Sequence, residues 1–316
     1  MEKIGVAVIG SGSWGKNHAR VYNQLPYASL EAVVDAQENV AKKIAKQYGV
    51  KWYSDPEKAF TNPDIDAVSI CTPTITHYEI AKQAIENGKH VLVEKPITNT
   101  VDEAKELIHL SKKKHIKLTI GFVERFNSAI KDALKRTSNG EIGDVILAHT
   151  RRLSRRPIRI GDVGVIKDLA IHDIDIINQL FKDEATVVFA SAGSIAHSFE
   201  DYANIQIGYH GNKSAFVETN WLTPRKIRTL TITGTEGIIN VEYITQQIVI
   251  ENNERLYQPY LTPEEPLYNE LESFIKSIIT DNEPVVTGED GLKALKICEA
   301  AISSAKKREH VSLQKS

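Results

Sequence analysis

The chain has 316 residues, enough for about two domains that each bury a core of their own. Hydrophobic residues make up 41% and charged residues 25%, as in an ordinary globular protein, and a net charge of −2 gives no general attraction for nucleic acid or an anionic membrane. Two cysteines, Cys71 and Cys298, are too few for a disulfide framework or a cysteine zinc site and point to a reducing cytoplasm. No apolar run reaches membrane-spanning length, and the N-terminal apolar stretch is too short to be a signal peptide.

Ile4, Val6, Val8 and Ile9 predict a first strand that runs into Gly10-Ser11-Gly12-Ser13-Trp14-Gly15. A helix-compatible segment follows and stops near Pro26. Strand, glycine turn and helix in this order predict a dinucleotide site. Gly10 suits a turn closed to residues with a Cβ, Gly12 admits a pyrophosphate to the backbone, and Gly15 lets helix and strand approach. The free N–H groups at the helix start, beside Ser13 and Trp14, would meet the phosphates. A tight turn with no ligand is the plain alternative. The second predicted strand, residues 30–35, ends in Asp35 about twenty residues past the turn. There a carboxylate can bond the adenosine ribose and repel the extra phosphate of NADP, so NAD is expected. Asp35 is equally a candidate N-cap for the helix beginning near Glu38.

Helices are predicted at 39–48, 76–87 and 100–114, and strands at 50–53, 66–71, 90–93 and 117–120. Ser54 with Glu57, and Thr100 with Glu103, have capping-box spacing. Strands alternating with helices imply a doubly wound parallel sheet, whose ligands bind beyond the strand carboxyl ends. Asp35, Thr72 with Pro73, and Lys95 sit at such ends. Lys95, in Glu94-Lys95-Pro96, is a group able to hold a substrate hydroxyl and stabilise an alkoxide, or else a surface lysine before a turn.

The glycine turn, the acid-ended second strand, Thr72-Pro73 with His77, and Glu94-Lys95-Pro96 together resemble the glucose–fructose oxidoreductase/inositol dehydrogenase/rhizopine-catabolism (Gfo/Idh/MocA) family over essentially the whole chain. The resemblance implies an NAD(P)-dependent sugar or cyclitol oxidoreductase. It implies that Lys95 is catalytic or substrate-binding, with a cis bond to Pro96, and that Thr72, Pro73, His77, Glu94 and Lys95 serve the cofactor. Residues 121–127 resemble the family's crossover into the second domain, with Arg125 near the nicotinamide; otherwise they read as a helix start with solvated charge. The domains are expected at 1–122 (NAD(P)-binding, Rossmann type) and 123–316 (substrate binding and oligomerisation).

From about Asp144 strands dominate, at 145–152, 186–194, 203–209, 215–222, 227–233, 238–243 and 247–250, with turns at Gly211-Asn212 and at 234–237. They predict an α+β domain with a large, mostly antiparallel open sheet. The resemblance implies a homodimer or homotetramer formed through that sheet. Helices near 265–280 and 289–308 end the chain, the last returning to the first domain. One helix, 165–180, interrupts the strands and carries Asp168, His172, Asp175 and Gln179 at i, i+4, i+7 and i+11, a single stripe. Its other positions are so apolar that the stripe should face a cleft; a solvated stripe and a weak metal site are the alternatives, and no metal is expected. By resemblance Asp168 and His172 are catalytic. His172 would take the hydroxyl proton and Asp168 would hold its tautomer.

Arg151, Arg152, Arg155, Arg156, Arg159 and Lys167 crowd before this helix, and guanidinium forks suit phosphate oxygens. Arg151 and Arg155 share one strand face and Arg152 and Arg156 the other, so at least one pair can point to the cleft. Arg152 and Arg156 are the candidates for a substrate diphosphate, and a solvated or interface cluster is the alternative. Residues 12–18 and 165–173 are similar to segments of family members acting on UDP-linked amino sugars. That implies oxidation of a UDP-N-acetylglucosamine at its 3-hydroxyl. An inositol or free-sugar dehydrogenase and a non-catalytic NAD(P)-binding regulator are the competing readings.

Overall fold

Strands buried on both faces must be apolar almost without a break, and the first half of the chain obeys this. In the computed structural model, which describes residues 3–155, 161–195 and 198–313, the chain divides into two compact units. Met1–Phe122 with Leu267–Leu292 form the first, and Val123–Pro266 with Lys293–Ser316 the second.

The first unit begins with β1 (Ile4–Ile9), α1 (Ser13–Gln24), β2 (Ala28–Val34), α2 (Glu38–Tyr48), β3 (Lys51–Tyr53), α3 (Glu57–Phe60) and β4 (Ala67–Ile70). It continues with α4 (His77–Glu86), β5 (His90–Glu94), α5 (Val101–Lys113) and β6 (Leu118–Gly121). The strands form a wholly parallel sheet in the order β3-β2-β1-β4-β5-β6. The order reverses between β1 and β4, the place where such sheets open a ligand crevice. Ile9 lies level with Val34 on one side and Ile70 on the other, and Ile70 with Val93. The residues after these strands, Gly10, Asp35, Cys71 and Glu94, therefore emerge along one edge.

Helix ends follow local chemistry. Thr100 and Glu103 form the expected capping box. Ser54 and Glu57 do not: Pro56 takes the N-cap position, and Asp55 Oδ1 accepts the Glu57 N–H at 3.0 Å. A carboxylate two residues ahead of an N–H closes that ring with less chain to order than the longer Ser54 reach.

The second unit holds α6 (Ser128–Ser138), β7 (Val145–Arg155), α7 (Ile171–Phe181), β8 (Ala185–Gly193), β9 (Tyr202–Tyr209), β10 (Ser214–Asn220) and β11 (Leu222–Gly234). Then come β12 (Gly237–Glu242), β13 (Gln247–Asn252) and β14 (Leu256–Tyr257). After α8 (Pro266–Ile279) and α9 (Gly288–Lys307), β15 (Val311–Ser312) completes the sheet. Its order is β14-β13-β12-β11-β7-β10-β9-β8-β15, antiparallel except between β7 and β10. Gly211 and Asn212 both have positive φ, 66° and 63°, and make the β9–β10 turn. Ala148, Thr150 and Arg152 of β7 alternate inward, while Leu147, His149 and Arg151 alternate outward.

Of the last helix, α9, the start through Leu292 groups with the first unit, and α8 joins it there. Thr119 Oγ donates to the Val286 carbonyl at 2.6 Å, and a Cβ on Gly291 would stand 2.8 Å from Ile120 Cγ1, so this segment lies tight on β6. The rest of α9 serves the second unit, where Ser304 Oγ accepts the Ala190 N–H at 2.9 Å.

Candidate functional site

In the first unit each glycine of the turn answers to a different constraint. Gly10 has φ +88°, and a Cβ there would stand 2.8 Å from the backbone of Cys71 and Thr72. A Cβ on Gly15 would lie 1.8 Å from the Gly10 carbonyl oxygen, so α1 can approach β1 only with glycine at that point. Gly12 is the opposite case: nothing stands within 4 Å of its Cβ position. Gly12 is also the N-cap of α1, its side has no capping group, and Gly12 and Ser13 are exposed while Trp14 is half-buried. The open space over free helix N–H groups fits a dinucleotide diphosphate.

Asp35 braces this turn. Its Oδ2 accepts the Ser11 N–H at 2.8 Å and its Oδ1 accepts the Gln37 N–H at 2.9 Å, leading the chain into α2. The N-cap of α2 is Gln37, so Asp35 does not cap that helix directly. A carboxylate offers about four lone-pair sites, and two remain for ribose hydroxyls.

Thr72 Oγ accepts from Thr76 Oγ at 2.8 Å, and Pro73 is exposed at the same edge. His77 differs from its expected place among the cofactor contacts. It is 1% exposed, with Nδ1 2.8 Å from the Pro96 carbonyl and Nε2 3.0 Å from the Thr72 carbonyl. It therefore joins the two strand-end loops from beneath. Glu94 is likewise buried: His18 Nε2 lies 3.0 Å from its Oε1, and its Oε2 accepts the Lys95 N–H at 3.3 Å. Lys95 itself is half-buried, and its bond to Pro96 is cis.

In the second unit a short π-helical turn, Ile166–Ala170, precedes α7. Gly164 leaves room for the Glu200 carboxylate, whose Oε1 accepts the Ile166 N–H at 3.2 Å. Asp168 and His172 are buried, at 6% and 8% exposure. The predicted polar stripe divides. Asp175 accepts from Nε and Nη2 of Arg125, itself buried. Asp173, outside the stripe, takes both oxygens to Nε and Nη2 of Arg152 at 2.9 Å each.

The assignment of Arg152 to a substrate diphosphate is corrected by this geometry. Its third nitrogen, Nη1, donates to Glu124 Oε1 at 2.8 Å, and its side chain is 2% exposed. Burial works against its charge, but Asp173 and Glu124 outweigh it and hold the guanidinium well above the ordinary arginine range. Arg228 joins the same cluster, with Nη1 3.2 Å from Glu124 Oε1. Arg156 and Arg159 lie outside the described residues. Sequence reasoning missed Asp173, Glu124 and Arg228 as one cluster, because the β7–β11 register that sets Arg152 opposite Arg228 has no local signature. It missed His18 despite a signal: a polar residue on the buried stripe Gly15, His18, Ala19, Tyr22.

Two family models meet these two architectures. The NAD-binding Rossmann-fold model of the GFO/IDH/MocA oxidoreductase family matches residues 4–122, and the GFO/IDH/MocA C-terminal domain model matches residues 130–240. The scyllo-inositol 2-dehydrogenase (NAD(+)) of Bacillus subtilis is 31% identical over 96% of this chain and 94% of its own length. The chain belongs to the GFO/IDH/MocA family. It is an NAD-dependent oxidoreductase acting on a CH–OH group of a sugar or cyclitol. Further relatives of this GFO/IDH/MocA enzyme include the myo-inositol 2-dehydrogenase of Thermotoga maritima, 27% identical over 98% of both chains. Among solved structures, the UDP-N-acetylglucosamine 3-dehydrogenase of Acidithiobacillus ferrooxidans superposes with a TM-score of 0.90, at 25% identity over 97% of this chain and 99% of that one. Among the described residues no helix is long and apolar enough to cross a membrane.

Proposed function

We propose that this GFO/IDH/MocA enzyme oxidises a UDP-N-acetylhexosamine at its 3-hydroxyl. The observation that carries the nucleotide-sugar reading is a set of exposed cations assembled by strand register. Leu222 pairs with Arg155 and Ile227 with Leu153, so residues 223–226 bulge out of β11 beside the end of β7. Arg155, Arg225 and Lys226 are all exposed there. Guanidinium and ammonium groups so grouped suit a diphosphate, in place of the buried Arg152.

The residue roles carry over from the family motifs. His172 accepts the hydroxyl proton and returns it in the reverse reaction. Asp168 holds the imidazole tautomer and stabilises the imidazolium. Lys95 donates to the substrate oxygen and stabilises its alkoxide character. Gly10, Gly12, Ser13, Trp14, Gly15, Asp35, Thr72 and Pro73 hold the NAD, with Arg125 on the nicotinamide side. Bound NAD supplies the hydride acceptor. The outer sheet face, where Leu147, Phe189 and Phe216 are 40%, 46% and 45% exposed, is the surface for a second copy of the chain. Neither Cys71 nor Cys298 forms a disulfide, in keeping with work in the cytoplasm.

A second reading, an inositol 2-dehydrogenase, is favoured by the whole-length similarity to the Bacillus enzyme. Steady-state rates on UDP-N-acetylglucosamine, free N-acetylglucosamine, myo-inositol and scyllo-inositol separate the two. The nucleotide-sugar reading expects the UDP-sugar to lead in kcat/KM, and Arg225→Ala/Lys226→Ala to raise its KM alone. Equal or better efficiency on an uncharged substrate sinks it. His172→Ala should lower turnover about a hundredfold or more with NADH binding intact.

A further inference from the structure

Beneath the edge that carries Lys95, the first unit buries a line of polar side chains. Tyr22 OH lies 2.9 Å from Ser69 Oγ, Ser69 Oγ 3.1 Å from His18 Nδ1, and His18 Nε2 3.0 Å from Glu94 Oε1. Tyr22, His18 and Ser69 are each 0% exposed and Glu94 is 7%. The direction of the bonds follows from what each group can do. A carboxylate only accepts, so Nε2 of a neutral His18 donates to Glu94 and its Nδ1 accepts from the Ser69 hydroxyl. Ser69 then accepts from Tyr22, whose phenol burial keeps protonated. The chain of donors thus runs one way, from Tyr22 to Glu94.

A core has no need of these groups. Ser69 is the one polar residue of β4, in Ala67-Val68-Ser69-Ile70, a strand buried throughout. Apolar replacements of the same shape would cost the fold little, whereas an orphaned buried polar group costs about 1–3 kcal/mol. What the line does hold is the second oxygen of Glu94. Oε2 accepts the Lys95 N–H at 3.3 Å, and Gly121 leaves room for the carboxylate, since a Cβ there would stand 3.0 Å from it. His18 lies on α1, whose first turn is the glycine turn, and Trp14 of that turn meets its ring edge-on at 6.3 Å.

We propose that His18 is a positioning residue for Lys95, acting through Glu94 and joining the cofactor helix to the lysine loop. The proposal rests on the role given to Lys95 above. His18 fixes the rotation of the Glu94 carboxylate, Oε2 fixes the Lys95 peptide, and the ammonium group is presented from a fixed origin. A misplacement of a reacting group by about 1 Å costs on the order of a hundredfold in rate.

The test compares wild type, His18→Leu, His18→Gln, Lys95→Met and the double variant His18→Leu/Lys95→Met, all with saturating NADH or NAD. Amide hydrogen exchange of the peptide covering residues 94–98, read by mass spectrometry, should be faster in His18→Leu. It should be partly restored in His18→Gln, whose amide N–H replaces Nε2. With UDP-N-acetylglucosamine and with myo-inositol, His18→Leu should lower kcat about ten- to a hundredfold and leave KM for NAD within about threefold. In the Lys95→Met background the same change should cost nothing further. Unchanged exchange in His18→Leu overturns the proposal even if Lys95→Met is inactive. So does an equal fold-loss in both backgrounds. Wild-type turnover in Lys95→Met overturns the role of Lys95 itself, and the proposal falls with it.

Discussion

Replacing Gly12 with alanine separates the fold of the glycine turn from its ligand. Gly12 has φ −69° and ψ −155°, which alanine adopts, and nothing lies within 4 Å of the new methyl. The unliganded protein should keep its stability or gain about 0.4–1 kcal/mol from a less flexible unfolded chain. The same methyl occupies the space over the α1 N-terminus, so NADH should bind at least about tenfold more weakly, about 1.4 kcal/mol. At NADH equal to about 100 times the wild-type Kd, the ligand stabilises wild type by about 2.7 kcal/mol and a tenfold-weaker variant by about 1.4 kcal/mol. Thermal unfolding with and without NADH, together with a fluorescence titration of NADH, reads both terms. Gly15→Ala is the mirror image: its Cβ would meet the Gly10 carbonyl at 1.8 Å, so it should lose stability without ligand, by about 1–3 kcal/mol. Wild-type NADH affinity in Gly12→Ala would refute the placement of the diphosphate at this turn.

Asp35→Ser should weaken NAD and improve NADP, narrowing the ratio of their kcat/KM values; a wild-type enzyme more efficient with NADP would defeat the argument. Arg152→Met strands Asp173 and part of the Glu124 charge inside the second unit, and should cost about 3–5 kcal/mol in urea unfolding. A cost below about 1 kcal/mol would mean that the cluster is not what holds β7 to α7. Burial, with the Lys117 charge second, lowers the pKa of His90, whose Nδ1 accepts the Lys117 N–H at 3.1 Å. The unfolded chain therefore binds this proton more readily, and stability should fall as the pH drops below about 6.5, the unfolded value. His90→Asn should flatten the Tm profile between pH 7 and 5.

The glycine turn was readable because each of its constraints is local: a positive φ at Gly10, an open face at Gly12, a close approach at Gly15. The parallel sheet was readable for a related reason, since mostly apolar strands alternating with helices of this length admit little else. What escaped was set by long-range register. Arg152 looks like any basic strand residue until β11 sets Arg228 beside it and α7 supplies Asp173. The cations of residues 225 and 226 sit some seventy positions from Arg155 and gain meaning only through a bulge. Ser54 failed as a cap because Asp55 offered a shorter closure, a competition that spacing alone does not rank.

The π turn at Ile166–Ala170 has one further consequence. A π turn takes up one residue more than an α turn, through i→i+5 bonding, while the helix beyond keeps its own phase. The apolar face of α7, Ile171, Ile174 and Ile177, is thereby fixed by its packing, whatever happens in the turn ahead of it. Asp168 sits inside the surplus. Its bearing can be retuned by substitution at the half-buried Lys167 or Leu169 of the turn, while Ile166 and Ala170 stay packed in the core. On the role proposed for Asp168, a lineage adapting to a new sugar could adjust this carboxylate first and leave most of the scaffold untouched.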